Sequence, residues 1–135
     1  MQELITELKG DFPLLIEAGF VAVNQRDEES ALRLFMAASI LEPHSCAPEI
    51  GYGFVALNKL DLANAEQKFR AVLDKDGEHH LAKAFLGITL AFSEKTRMQG
   101  QKLLAEAIEA SDDPHVKNLG QVSLNWVEKD FSKKK

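Results

Sequence analysis

The 135-residue sequence has little of several things that particular classes of protein require. Cys46 is its only cysteine, so no disulfide can form within the chain, and this composition fits a reducing compartment. No stretch approaches the ~20 consecutive apolar residues of a membrane-spanning helix. The first residues lack the basic start and the apolar run of a signal peptide. These absences predict a cytoplasmic protein without a membrane partner.

Positive charge is also scarce. The chain has 16 Lys and Arg against 21 Asp and Glu, a net charge of -5. Binding to nucleic acid requires a dense face of Lys and Arg, so we expect no nucleic-acid partner. The one basic run is the tail 131–135, which we interpret as a solvated terminus.

Groupings of residues that carry chemistry are missing too. His79 and His80 are adjacent, so their side chains point in different directions, and neither has a Cys or a second His at helical spacing, which argues against a metal site. The segment 74–78 resembles the start of a calcium loop but lacks the later ligands. No set of nucleophile, base and orienting residue can be proposed. We therefore expect no enzyme activity, no cofactor and no metal.

An internal repeat is what the sequence does contain. The segment 19–24, Gly-Phe-Val-Ala-Val-Asn, returns 34 residues later at 53–58 as Gly-Phe-Val-Ala-Leu-Asn, and Gly87 begins a third copy. The same spacing separates further matched pairs: Asp27 and Asp61, Ala31 and Ala65, Phe35 and Phe69. A period of this length is typical of stacked helix–turn–helix units.

Local signals agree with helix pairs. Asp27 and Asp61 stand where a second helix would start, and aspartate is a good N-cap. Pro43 can close the second helix of the first pair, and Gly77 stands at the matching position of the second pair. A fresh helix is predicted to start at Pro114, after Asp112 or Asp113.

Small residues are expected to let the paired helices approach closely, while large ones fill the space between units. The small residues in question are Gly19, Gly53, Ala31 and Ala65. Phe35 and Phe69 are the predicted space-filling side chains. A glycine inside a helix costs about 1 kcal/mol relative to alanine, so repeated glycines in register indicate a packing constraint.

These positions resemble the tetratricopeptide repeat family, in which small, bulky and aromatic residues recur in a fixed order. The first repeat supplies Leu15, Gly19, Ala31, Phe35, Ala38 and Pro43, and the second supplies Tyr52, Gly53, Ala56, Ala65, Phe69 and Val72. The third keeps Leu86, Gly87 and Leu90, and its second helix fits after a one-residue insertion, with Gly100, Leu104 and Ala107.

The resemblance implies an all-α fold, a solenoid of three tandem helix–turn–helix units in a single domain. The expected parts are an N-terminal arm or short helix at 1–11, repeats at 12–45, 46–79 and 80–113, a capping helix at 114–130 and the tail at 131–135. The capping helix carries Val116, Leu119, Val122 and Trp126 at helical spacing, and the N-terminal segment carries Leu4, Ile5 and Leu8 on one face.

In such a stack the first helix of each pair lines a concave groove. The family's groove positions fall on Ile16, Phe20, Val23 and Asn24 in the first repeat, on Ile50, Phe54, Leu57 and Asn58 in the second, and on Ala84, Ile88, Ala91 and Phe92 in the third. The predicted groove is therefore largely apolar, with two asparagines at equivalent positions. On this map, Phe54→Glu or Leu57→Glu abolishes partner binding without unfolding the chain.

One use of this family is to grip C-terminal carboxylates with basic side chains on the first helices. Those positions here hold Ile16, Phe20, Gly51, Leu81 and Phe85, so we expect no such clamp. An apolar groove suits an extended or amphipathic helical client segment, with the asparagines bonding to its backbone. Two alternatives remain open: Phe20 and Phe54 pack against neighbouring helices, or the C-terminal helix folds into the groove.

Small acidic proteins of three such repeats resemble the cytoplasmic chaperones of bacterial type III secretion. These hold either translocator subunits or the needle subunit, the latter beside a small co-chaperone, and the resemblance implies a secreted client subunit. The competing hypothesis is a structural adaptor or scaffold subunit, or a self-associating homodimer, with the groove buried in a permanent interface of about 2,000 Å² or more.

Overall fold

The computed structural model describes residues 10–132, with side chains described as far as Asp130. Most of the expected N-terminal arm and the terminal lysines lie outside the described residues. The described part contains seven helices and no strand, which confirms the all-α prediction. The helices are α1 (Phe12–Asn24), α2 (Glu28–Leu41), α3 (Ala47–Asn58), α4 (Leu62–Lys75), α5 (His80–Ala91), α6 (Arg97–Ala110) and α7 (Pro114–Ser132). None of these helices is long and apolar enough to cross a membrane.

The chain divides into two compact units, and the division falls inside α4. Unit 1 ends at Lys68 and unit 2 begins at Phe69. Each unit is a pair of helices followed by a third helix that packs against both members of the pair: α1, α2 and α3 in unit 1, and α5, α6 and α7 in unit 2.

The core of unit 1 is organised around Phe35 of α2, which is completely buried. Its ring lies between Gly19 of α1 and Gly51 of α3, where a Cβ on Gly51 would come within 2.5 Å of it. Because glycine has no side chain, the backbones of α1 and α3 can both approach the ring closely. The expectation that Phe35 fills the space between the first and second repeats is confirmed, since its ring contacts Gly19 of the first and Gly51 of the second.

The turns that follow α1 and α3 have the same geometry. Arg26 and Leu60, which are 34 residues apart, both adopt left-handed backbone with φ of 62° and 59°. The next residue in each turn, Asp27 or Asp61, donates its N–H to a helix carbonyl five residues back, at 2.8 Å and 2.9 Å. A reversal of this kind closes a helix by satisfying its last carbonyls.

The same two aspartates then begin the next helix. The Asp27 carboxylate accepts a hydrogen bond from the backbone N–H of Ser30 at 3.1 Å, and that of Asp61 accepts one from Asn64 at 3.4 Å. Both predicted N-caps are confirmed. The sequence repeat is thus a repeat of backbone structure.

Unit 2 contains the predicted one-residue insertion. Gly100, Leu104 and Ala107 of α6 are buried, as are their counterparts Ala31, Phe35 and Ala38 of α2. The loop before α6 covers residues 92–96 and is longer than the two earlier turns. Thr96 donates its hydroxyl to the carbonyl of Leu90 at 2.7 Å, which closes α5 without left-handed backbone.

The helices α5 and α6 cross at Gly87 and Gly100. A Cβ on Gly100 would lie 2.5 Å from the carbonyl oxygen of Gly87 and 2.8 Å from the backbone N of Ala91. The atoms in the way are backbone atoms, which cannot rotate aside. The predicted packing role of the mid-helix glycine at position 87 is confirmed.

The last helix begins at Pro114, as predicted, with the Asp113 carboxylate accepting a hydrogen bond from the N–H of His115 at 2.9 Å. Val116 is buried in the core of unit 2. The prediction for Val122 is wrong, because its side chain is 58% exposed. The side of α7 that meets α6 is set by Gly120, which lies against Ile108, and residues two apart on a helix point to opposite sides.

Candidate functional site

The predicted groove residues fall in both units, and those of unit 1 form an aromatic surface. The rings of Phe20 on α1 and Phe54 on α3 lie 5.2 Å apart, and Phe20 also meets Phe35 edge-on at 5.4 Å. Both rings are only half-buried. They therefore pack against neighbouring helices, as one alternative held, and still present part of their area at the surface. Ile16 packs beside them in the same way.

Two exposed asparagines lie beside this pair, at the last residues of α1 and α3. The side-chain amide of Asn58 donates to the carbonyl of Phe54 at 2.8 Å. That bond uses the amide nitrogen of Asn58, and the amide oxygen is an acceptor. Asn24 occupies the equivalent position on α1. We call the surface formed by Ile16, Phe20, Asn24, Phe54 and Asn58 the aromatic face.

Three further positions of the predicted groove do not belong to an open surface. Val23, Ile50 and Leu57 are buried, at 6%, 2% and 9% exposure. Val23 follows Gly19 by one turn and so points toward the core. Most of α3 is buried, since it packs against both α1 and α2. The prediction that Leu57→Glu leaves the fold intact is therefore wrong. The substitution would place a charge at a buried position and destabilise the fold.

In unit 2 the C-terminal helix covers the predicted groove. Ala84 is completely buried in a cluster with residues of α7, and Ile88 packs on the same cluster. The ring of Phe92 lies 5.1 Å from that of Trp126. The second open alternative is thus realised here. Ala84, Ile88, Ala91 and Phe92 form a contact with α7 and leave no open groove at these positions.

A cleft opens beside the aromatic face, where α1 and α3 end. It has a volume of about 390 Å³ and is lined by Val23, Arg26, Glu28, Val55, Asn58 and Lys59. The two valines supply apolar walls, and the ammonium of Lys59 pairs with Glu28 at 3.0 Å. We call it the α1/α3 cleft. Arg26, Glu28 and Lys59 were not predicted, because the repeat pattern points only to groove positions on the first helices.

A second surface lies on the outside of α2. Met36 and Ile40 are 59% and 68% exposed there. Met36 also lines a cleft of about 380 Å³ together with Glu28, Leu32, Tyr52, Val55, Ala56, Lys59, Asp61, Asn64 and Lys68. The residues 34 positions later are Arg70 and Asp74. This comparison between repeats was available from the sequence and would have marked the outside of α2 as unusually apolar.

The described His, Cys, Asp and Glu side chains were also compared with the requirements of a metal site. Among the residues that the structure describes, no three His, Cys, Asp or Glu side chains are grouped so that they could hold a metal. His79 is the N-cap of α5, with its Nδ1 accepting from the N–H of Ala82 at 3.3 Å. Cys46, partly exposed, precedes α3 and is a free thiol. The capping role of His79 was not predicted from the sequence.

The charge of Asp27, in the turn that follows α1, is stabilised by hydrogen bonds. Hydrogen bonds from the hydroxyl and then from the backbone N–H of Ser30 hold the pKa of Asp27 below its usual value. Asp27 thus stays ionised at neutral pH, and its carboxylate is directed at its own helix.

Compared with protein-family models, with curated proteins and with solved structures, the chain gave no match.

Proposed function

We propose that this chain is a tetratricopeptide-type module that binds another protein and carries out no chemistry. The support is the agreement between the sequence repeat and the packing within each unit. Two turns 34 residues apart have a left-handed residue at the same position and an aspartate cap after it. Within each unit, a helix pair is followed by a helix that packs on both members. Repeats of this kind stack into solenoids whose surfaces bind extended partners.

The aromatic face of unit 1 is the surface that we assign to the client. The observation that carries this assignment is a pair of half-exposed phenylalanines flanked by two exposed asparagines, all at positions that the repeat makes equivalent. Aromatic side chains supply much of the binding energy of protein interfaces. An asparagine can both donate to and accept from a peptide backbone. The client would be an apolar extended segment or the apolar side of a helix.

Within this class we propose a cytoplasmic chaperone, similar to those of type III secretion, whose client is a secreted subunit. The acidic composition and the partly apolar surface support that role. A chaperone of this kind would cover the client's apolar segment until export. A small co-chaperone would be a further partner.

The test is capture of the client from native lysate by variants of the aromatic face. Asn24→Glu with Asn58→Glu places two carboxylates there, and both positions are exposed, so the effect on stability should stay within about 1 kcal/mol. The double variant should lose a protein that the wild type retains. Asn118→Glu, which changes an exposed asparagine on α7, is the matched control and should retain it. Equal retention by all three proteins would remove the aromatic face from the proposal.

One observation favours the alternative of an adaptor or a self-associating dimer. Met36 and Ile40 are exposed on α2, and exposed apolar patches often mark permanent contacts. Size-exclusion chromatography with light scattering separates the two proposals. The chaperone proposal expects a monomer in the absence of client. A stable dimer that Ile40→Glu dissociates, and that does not bind peptide, would favour the adaptor.

A further inference from the structure

We propose that the α1/α3 cleft binds a carboxylate that is attached next to an aliphatic side chain, as in an acidic residue beside the apolar part of a client segment. This inference rests on the proposed function, because the cleft shares Asn58 with the aromatic face. It adds a second requirement to the client: negative charge at one end of the apolar segment.

The charges of the cleft favour an anion. Three charged side chains line it: Arg26, Glu28 and Lys59. Glu28 is neutralised by its ion pair with Lys59, so Arg26 is the cation in excess, in a chain whose net charge is -5. A guanidinium offers a planar pair of donors that matches a carboxylate.

The two aspartates that follow the turns beside the cleft, Asp27 and Asp61, do not compete for that cation. The carboxylate of Asp27 is held by Ser30 and that of Asp61 by the N–H of Asn64. Each therefore serves the start of its own helix. A local cation that is not already neutralised is what a carboxylate ligand requires.

The ends of α1 and α3 at the cleft repel an anion less than open helix C-termini would. The last carbonyls of a helix normally repel negative charge. Here, the carbonyl of Ala22 accepts the N–H groups of Gln25 and Asp27, and that of Val23 accepts the N–H of Arg26. The carbonyls of α3 are closed in the same way by residues 59–61. These bonds weaken the negative potential that the cleft would otherwise meet.

The backbone of Arg26 supports a binding role for its side chain. Its left-handed conformation, with φ of 62°, costs an L residue roughly 1–2 kcal/mol, and glycine would avoid that cost. Leu60 holds the same turn position after α3, so the turn itself does not require arginine. What differs is that Arg26 lines a cleft.

The walls and size of the cleft define the neutral part of the ligand. Val23 and Val55 provide apolar contact, and Asn58 adds an amide at the rim. The volume of about 390 Å³ lies in the range of roughly 300–1,000 Å³ that is usual for small-molecule pockets. One aliphatic side chain with an adjoining carboxylate fits these properties.

The experiment is titration of the ¹⁵N-labelled full chain with N-acetyl-leucine, which carries the carboxylate, and with N-acetyl-leucine amide, its neutral counterpart. N-acetyl-leucine should shift the amide signals of Val23, Arg26, Val55 and Asn58, and the neutral amide should bind at least about tenfold more weakly, as expected when a charged hydrogen bond is lost. Arg26→Gln should weaken the binding of N-acetyl-leucine by a similar factor. Arg33→Gln, which changes an exposed arginine paired with Glu29 on α2, should not.

Equal binding of the two probes, shifts confined to other residues, or unchanged binding by Arg26→Gln would each overturn the inference. The titration needs no client, so its outcome is independent of the capture experiment. If the cleft fails while the asparagine variants still lose the client, the proposed function stands and the acidic requirement falls. Thermal denaturation of Arg26→Gln checks that a loss of binding is not a loss of fold.

Discussion

Glycines in this chain meet different neighbours, and the difference determines what each one contributes. Gly100 faces backbone atoms of α5, and Gly120 faces the side chain of Ile108, with a built Cβ 2.6 Å from its Cγ1. At Gly77 the nearest atom would be 3.8 Å away. Sequence analysis could find the glycine at position 87 from the repeat, but not which neighbour each glycine has, because that depends on the crossing of two helices.

We predict that Gly100→Ala lowers the free energy of unfolding by about 1–3 kcal/mol, the usual cost of overpacking, although alanine favours a helix. Gly77→Ala is the control and should stabilise by up to about 1 kcal/mol, because it only restricts the unfolded chain. Chemical denaturation followed by circular dichroism measures both. If Gly100→Ala leaves the free energy of unfolding unchanged, α5 and α6 can move apart at little energetic cost.

The left-handed residue of the second turn gives another prediction at this scale. Leu60 is 63% exposed, so its side chain contributes little packing, while its φ of 59° is unfavourable. Leu60→Gly should raise the free energy of unfolding by about 0.5–1 kcal/mol. Leu60→Ala keeps the strained conformation and should change it by less than about 0.5 kcal/mol. If the two variants behave alike, the strain is not real.

At the scale of the helix, starts and stops were predictable and burial was less so. Asp27, Asp61 and Pro114 identify helix starts through chemistry that acts within four residues. The burial of Leu57 and the exposure of Val122 depend on which neighbouring helix covers which side. That is a tertiary property, so the apolar pattern of one helix cannot decide it.

The N-cap at Asp27 should make the stability of the fold depend on pH. Since hydrogen bonds from Ser30 lower the pKa of Asp27 in the folded state, its contribution is present above the unfolded pKa, about 4, and is lost as the pH falls through the folded value. Asparagine caps equally well without titrating. Relative to Asp27→Asn, the wild type should therefore lose stability below about pH 4, measured by urea midpoints. Parallel pH profiles would contradict this.

The capping helix α7 offers a prediction about covered groove positions. Trp126 packs on Phe92, so Trp126→Ala should lower the free energy of unfolding by about 2–4 kcal/mol, near the lower end for large-to-small changes because the ring is only half-buried. Val122→Ala on the exposed side should stay within about 0.5 kcal/mol. Similar effects of the two variants would mean that α7 packs through another side.

At the scale of the whole chain, the sequence predicted the all-α class of fold, and the groove positions of the three repeats differ in how exposed they are. Phe20, Phe54, Asn24 and Asn58 lie where the repeat placed them, and the apolar contribution of the third repeat is covered by α7. The sequence left this covering open as an alternative, because Trp126 has the same apolar character whether it faces solvent or Phe92. The loop residue Arg26 was missed for a related reason, since a turn position acquires its neighbours only through folding.

The central claim is that a client protein lies on the aromatic face of unit 1, and site-specific photocrosslinking tests it most directly. p-Benzoylphenylalanine would replace Asn24, Asn58 or, as the control on α7, Asn118, each exposed. The account predicts one discrete crosslinked protein from positions 24 and 58 and none from 118. Crosslinks from position 118 alone, or from all three positions equally, would contradict it.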